Sequence, residues 1–94
     1  MVGVRELRKI VKEGTPPYRL TYEQGGESGE EELNSAKDVM DRLRELFGGS
    51  LRGVKIEIIE RNSTTEILVY KVRGPRAHLV FKRHKQLSIM SFFQ

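Results

Sequence analysis

The chain of 94 residues contains no cysteine and no tryptophan, and only three prolines and two histidines. Without cysteine, disulfides and thiolate metal sites are excluded outright. His78 and His84 are too few for most metal sites and do not stand at ligand spacing. No stretch approaches the ~20 consecutive apolar residues that a membrane-spanning helix needs. The start, MVGVRELRKIVKEG, lacks the apolar block of a secretory signal, so an intracellular protein with no membrane partner is expected. There is neither a phosphate-cradling Walker motif nor a dinucleotide GxGxxG, and no Ser-His-Asp arrangement.

Carboxylates on neighbouring strands followed by lysine mark many metal-dependent nucleases. Glu57 and Glu66, with Lys55 and Lys71 nearby, come nearest to that arrangement. Their spacing fits no such pattern, and cross-strand Glu–Lys pairs explain the same residues. A single small layer seldom builds a catalytic pocket. The expectation is a protein that is not an enzyme, with a nuclease-type activity as the enzymatic alternative. No cofactor, metal or small-molecule substrate is expected.

What is present is charge, unevenly spread. Charged residues make up 32% of the chain and hydrophobic ones 37%, the balance of one small globular domain with a heavily charged surface. Residues 1–24 carry a net +2, residues 25–47 a net −4 and residues 48–94 a net +6. A basic half of that kind suits an acidic partner such as nucleic acid, and also an ordinary solvated surface. The cysteine-free, ion-rich composition suits a heat-adapted organism.

Hydrophobic periodicity organises the chain up to residue 83. Val4, Leu7, Ile10 and Val11 fall at helical spacing and predict a helix over 3–13, ended by Gly14 and the Thr-Pro-Pro that follows. Residues 18–24 alternate as a strand, with Tyr18, Leu20 and Tyr22 on one face. Residues 25–32, GGESGEEE, offer no apolar face and predict a flexible acidic loop. A phosphate mimic or metal loop is the functional alternative there, but it lacks ligand spacing. Ala36, Val39, Met40, Leu43, Leu46 and Phe47 form the apolar stripe of a second helix, capped by Asn34 or Ser35 and ended by Gly48-Gly49. Three strands follow, over 54–60, 65–72 and 77–83. The second is apolar on both sides, as a central strand is. The expected fold is therefore α+β, helix-strand-helix-strand-strand-strand: a mostly antiparallel four-stranded sheet with two helices on one face.

After Phe81 the alternation gives way to the basic run Lys82-Arg83-His84-Lys85 and then to Gln-Leu-Ser-Ile-Met-Ser-Phe-Phe. This divides the chain into a domain over 1–81 and a basic lead-in with a flexible tail over 82–94. In one helical turn, Ile89, Phe92 and Phe93 stand at i, i+3 and i+4 and form a single apolar plug. Gln86 precedes the plug by three residues, at reach of a separate polar contact.

The spacing resembles the PCNA-interacting peptide, or PIP box, Gln-x-x-(Ile/Leu/Met)-x-x-aromatic-aromatic, with Gln86, Ile89, Phe92 and Phe93 at its four positions. The resemblance implies a partner, the ring-shaped DNA sliding clamp. The glutamine would enter a small polar pocket, and Ile89, Phe92 and Phe93 a hydrophobic cavity of the clamp. It also implies a role in DNA replication or repair, as an accessory protein or a regulator. The cell would be archaeal, with a thermophile favoured by composition, or eukaryotic, where the location would be the nucleus. Lys82, Arg83, Lys85, Arg73 and Arg76 are candidate lead-in contacts to the clamp, or contacts to DNA. The resemblance covers eight residues. The alternative is a small basic nucleic-acid-binding domain whose tail packs on its own core.

Overall fold

A computed structural model describes residues 3–83. Its elements run α1 (Val4–Lys12), β1 (Gly14–Gln24), β2 (Glu27–Leu33), α2 (Ala36–Leu46), β3 (Lys55–Arg61), β4 (Thr64–Tyr70) and β5 (Arg76–Arg83). The five strands form one antiparallel sheet in the order β2-β1-β5-β4-β3. The α+β class stands, but the sheet has five strands where the periodicity predicts four.

The extra strand is β2, in the segment predicted to be a loop. Its sequence, ESGEEEL, has no alternating apolar face, so periodicity is blind to it. Two other forces hold it. Gly25 and Gly26, at φ 57° and 85°, form the two-residue turn of a hairpin closed by Gln24 opposite Glu27, a geometry that needs positive φ at both centres. From α2, Arg42 reaches Glu31 with Nε at 2.8 Å and a terminal nitrogen at 2.7 Å from Oε2, and its guanidinium lies 5.1 Å from the centre of the Tyr22 ring.

β1 also begins earlier than its alternation suggests. It pairs with β5 at Gly14 and Thr15, loses register across Pro16 and Pro17, and resumes at Arg19 opposite Val80. Proline brings no N–H to a ladder, so the two sit where the strand bulges. β4 stops at Tyr70, and Val72 beyond it is 76% exposed in the connection to β5. The central strand is β5, with β4 beside it.

Both helices cover the same face. α1 buries Leu7, Ile10 and Val11, and α2 buries Val39, Met40, Leu43 and Leu46, against Tyr18, Leu20, Ile56, Ile67, Val69, Ala77, Leu79 and Phe81 of the sheet. Each buried Leu, Ile, Val, Met or Phe among them contributes on the order of 1.5–3 kcal/mol by leaving water. The Ser35 hydroxyl accepts from the Asp38 amide at 3.1 Å and caps α2. Tyr18 donates its hydroxyl to the Val11 carbonyl at 2.8 Å, and its ring packs 5.1 Å from that of Phe81. Among the described residues no buried side-chain polar atom lacks a partner.

Candidate functional site

The four residues of the PIP-like pattern, Gln86, Ile89, Phe92 and Phe93, lie outside the described residues, as does Lys85. The last described residue, Arg83, is the point from which the chain continues toward them.

Alternation along β5 places Arg83 on the helix side, level with Gly14 across the β1 ladder. There its Nε and one terminal nitrogen donate to Glu13 Oε1 at 2.9 and 2.6 Å, while the other terminal nitrogen donates to Glu60 at 2.9 Å. Its amide donates to the Ser63 carbonyl at 3.3 Å. Burial pulls the guanidinium pKa down, but the carboxylates of Glu13 and Glu60 more than offset it and leave it above the ordinary value. Arg83 thus ties together the end of α1, the β3–β4 hairpin and the end of β5. This is a structural role for a residue that the sequence marks only as one of a basic run.

The other basic candidates are dispersed. Lys82 is exposed on the opposite, helix-free face of the sheet, at the same end as Arg83. Arg73 lies in the β4–β5 connection, at the far end of the sheet. Arg76 starts β5, and its guanidinium sits 5.4 Å from the centre of the Tyr70 ring. The structure therefore separates Arg73 and Arg76 from Lys82 and Arg83 by the length of β5.

The helix-free face carries a hollow of about 640 Å³, bordered by Thr21, Glu23, Leu68, Tyr70, Arg76 and His78. Two of its polar groups, Tyr70 and His78, are engaged with carboxylates beside it. Tyr70 donates to Glu57 Oε2 at 2.6 Å, and that hydrogen bond raises the phenol pKa. His78 Nε2 lies 3.1 Å from Glu66 Oε1. Glu57 and Glu66 do stand on adjacent strands of this face, but each faces a different side-chain partner. Among the described residues no group of three His, Cys, Asp or Glu side chains converges as a metal site requires, and no helix is long and apolar enough to cross a membrane.

Sequence reasoning missed β2 and the Arg83 cluster. The Gly25-Gly26 pair was the available signal for β2, since a diglycine between two extended segments is a hairpin turn. No local signal marks a triad whose members come from positions 13, 60 and 83.

The fold and this site define a small α+β domain with a one-sided helical layer. Comparison of the chain with protein-family models, curated proteins and solved structures gives no match.

Proposed function

We propose that this protein binds a DNA sliding clamp through Gln86, Ile89, Phe92 and Phe93, and acts in DNA replication or repair as an accessory or regulatory protein and not as an enzyme. The observation that carries the reading is the complete four-position pattern. The architecture supports it in two ways. Both helices cover the sheet's apolar face. Arg83 anchors the chain three residues before Gln86. Three residues reach at most about 10 Å, so a clamp engaged by the box would lie close against this end of the domain.

Burying one isoleucine and two phenylalanines is worth roughly 1.5–3 kcal/mol for each side chain. Less the cost of ordering and association, this gives a dissociation constant on the order of micromolar, the strength of a reversible tether.

Calorimetry with a purified clamp tests the reading. The intact protein binds, and the Phe92→Ala/Phe93→Ala variant loses binding while keeping its melting temperature. Absence of binding by the intact protein, or equal binding by both, overturns it. A melting temperature lowered by removal of residues 86–94 would show instead that the tail belongs to the domain's own core.

A further inference from the structure

α1 carries two opposed stripes. Leu7, Ile10 and Val11 are buried in the core, while Arg5, Arg8, Lys9 and Lys12 are all exposed. The four cations stand at i, i+3, i+4 and i+7, the spacing that lines residues along one helix face over about 10 Å. They border a shallow hollow of about 350 Å³ together with Glu13, whose carboxylate is already held by Arg83.

None of the four takes part in an ion pair or side-chain hydrogen bond among the described residues. Several cations elsewhere are matched by neighbouring acids. Arg42 is held by Glu31, and Lys37 and Arg44 share Asp41. On the helix-free face Arg19 stands opposite Glu32, and Arg76 opposite Glu23. Arg52, Lys55, Arg61, Lys71, Arg73 and Lys82 make no ion pair among the described residues either, but they are spread over separate strands and connections. On α1, by contrast, four cations without ion pairs among the described residues line a single helix face.

We infer that this face of α1 binds the phosphodiester backbone of nucleic acid, with Arg5, Arg8, Lys9 and Lys12 each neutralising phosphate charge. The chemistry of the stripe selects this partner class. Surface helices that enter a membrane do so with an apolar face, and the apolar face of α1 is occupied by the domain's own core. Protein interfaces centre on aromatic and apolar anchors and are poor in lysine, and the stripe contains no such anchor. Nucleic-acid interfaces are polar and strongly positive. The contact is one of backbone charge, so it discriminates little between sequences.

The inference does not depend on clamp binding. It is tested with the full chain by fluorescence anisotropy on a labelled DNA duplex, titrated from about 50 to about 200 mM salt. Four neutralised phosphates contribute a log–log slope of about −3.6, or roughly a 150-fold loss of affinity over that range. The variant Arg5→Gln/Arg8→Gln/Lys9→Gln/Lys12→Gln is expected to bind more weakly, with a slope shallower by about 3.6, and the milder Lys9→Gln/Lys12→Gln shallower by about 1.8. A control that removes as much charge elsewhere, Arg52→Gln/Lys55→Gln/Arg61→Gln/Lys71→Gln, keeps the steep slope. The Phe92→Ala/Phe93→Ala variant keeps it too, which separates this inference from the clamp reading. A slope unchanged in both α1 variants, or an equal loss in the control, overturns the inference. So does tighter binding to poly-glutamate than to the duplex, which would assign the stripe to an acidic protein, or to anionic vesicles, which would assign it to a membrane surface.

Discussion

Arg83 and Glu13 are 70 residues apart in sequence and are joined by two hydrogen bonds to a single carboxylate oxygen. The pair fastens the end of β5 to the residue that follows α1, with only 19% of the arginine side chain and 34% of the glutamate side chain exposed. Charge-assisted bonds of this geometry are stronger than neutral ones, though partial exposure screens them. Glu13→Gln is therefore expected to cost about 1 kcal/mol, which lowers the melting temperature of a domain this size by about 4–8 °C. Thermal denaturation followed by circular dichroism measures it, and an unchanged melting temperature would show that the pair is only decorative.

Gly14, at the start of β1, has no room for a side chain. A Cβ there would collide with the Phe81 ring and come within 2.9 Å of Tyr18 Cε2. Both rings are buried, at 3% and 2% exposure, and neither can swing aside without opening the core. Gly14→Ala is expected to destabilise the domain by about 1–3 kcal/mol, as overpacking does. Urea denaturation would show this as a lowered midpoint at constant slope.

The β1–β2 turn makes the opposite prediction. Gly25 has φ 57°, a conformation that asparagine also adopts readily, and no atom among the described residues would lie within 4 Å of a Cβ there. Gly25→Asn is expected to be neutral, or to stabilise by up to about 1 kcal/mol by restricting the unfolded chain. Valine at the same position should destabilise, because a β-branched residue resists positive φ. Equal melting temperatures for the two variants would contradict the turn described here.

Tyr18 makes the fold sensitive to alkali. Burial raises its phenol pKa above the ordinary 10.0. The unfolded chain therefore releases the proton first, and the folded state holds more protons between the two values. Stability from this group is complete below about pH 10 and falls as pH rises through the raised folded value. Tyr18→Phe should cost about 1 kcal/mol at neutral pH through the lost bond to Val11, and should flatten the decline in alkali. Tyr70 is also raised, by its hydrogen bond to Glu57, so Tyr70→Phe is the companion variant. Urea midpoints between pH 8 and about pH 11 decide it. A decline unchanged in the Tyr18 variant would place the alkaline transition elsewhere.

Local pattern accounts for much of this architecture. The stripes of α1 and α2, a cap for α2 at Asn34 or Ser35, the shared face of Tyr18, Leu20 and Tyr22, and the alternation of Ala77, Leu79 and Phe81 are all legible from spacing. Each reports the burial of a neighbouring stretch against one common core. β2 escaped that reading because it is held by pairing and by Arg42, and not by burial of its own side chains. The edge position of such an acidic strand is consistent with protection against unwanted strand pairing.

The amino-acid sequence by itself determined the helices, most strand faces and the Gln86–Phe93 pattern, since these depend on residue type and spacing within about ten positions. Only the tertiary structure decided that β1 lies between β2 and β5, that Arg83 is committed to Glu13 and Glu60, and that the cations of α1 have no ion-pair partner among the described residues. Those outcomes depend on which distant side chains meet, and local periodicity carries no record of such meetings.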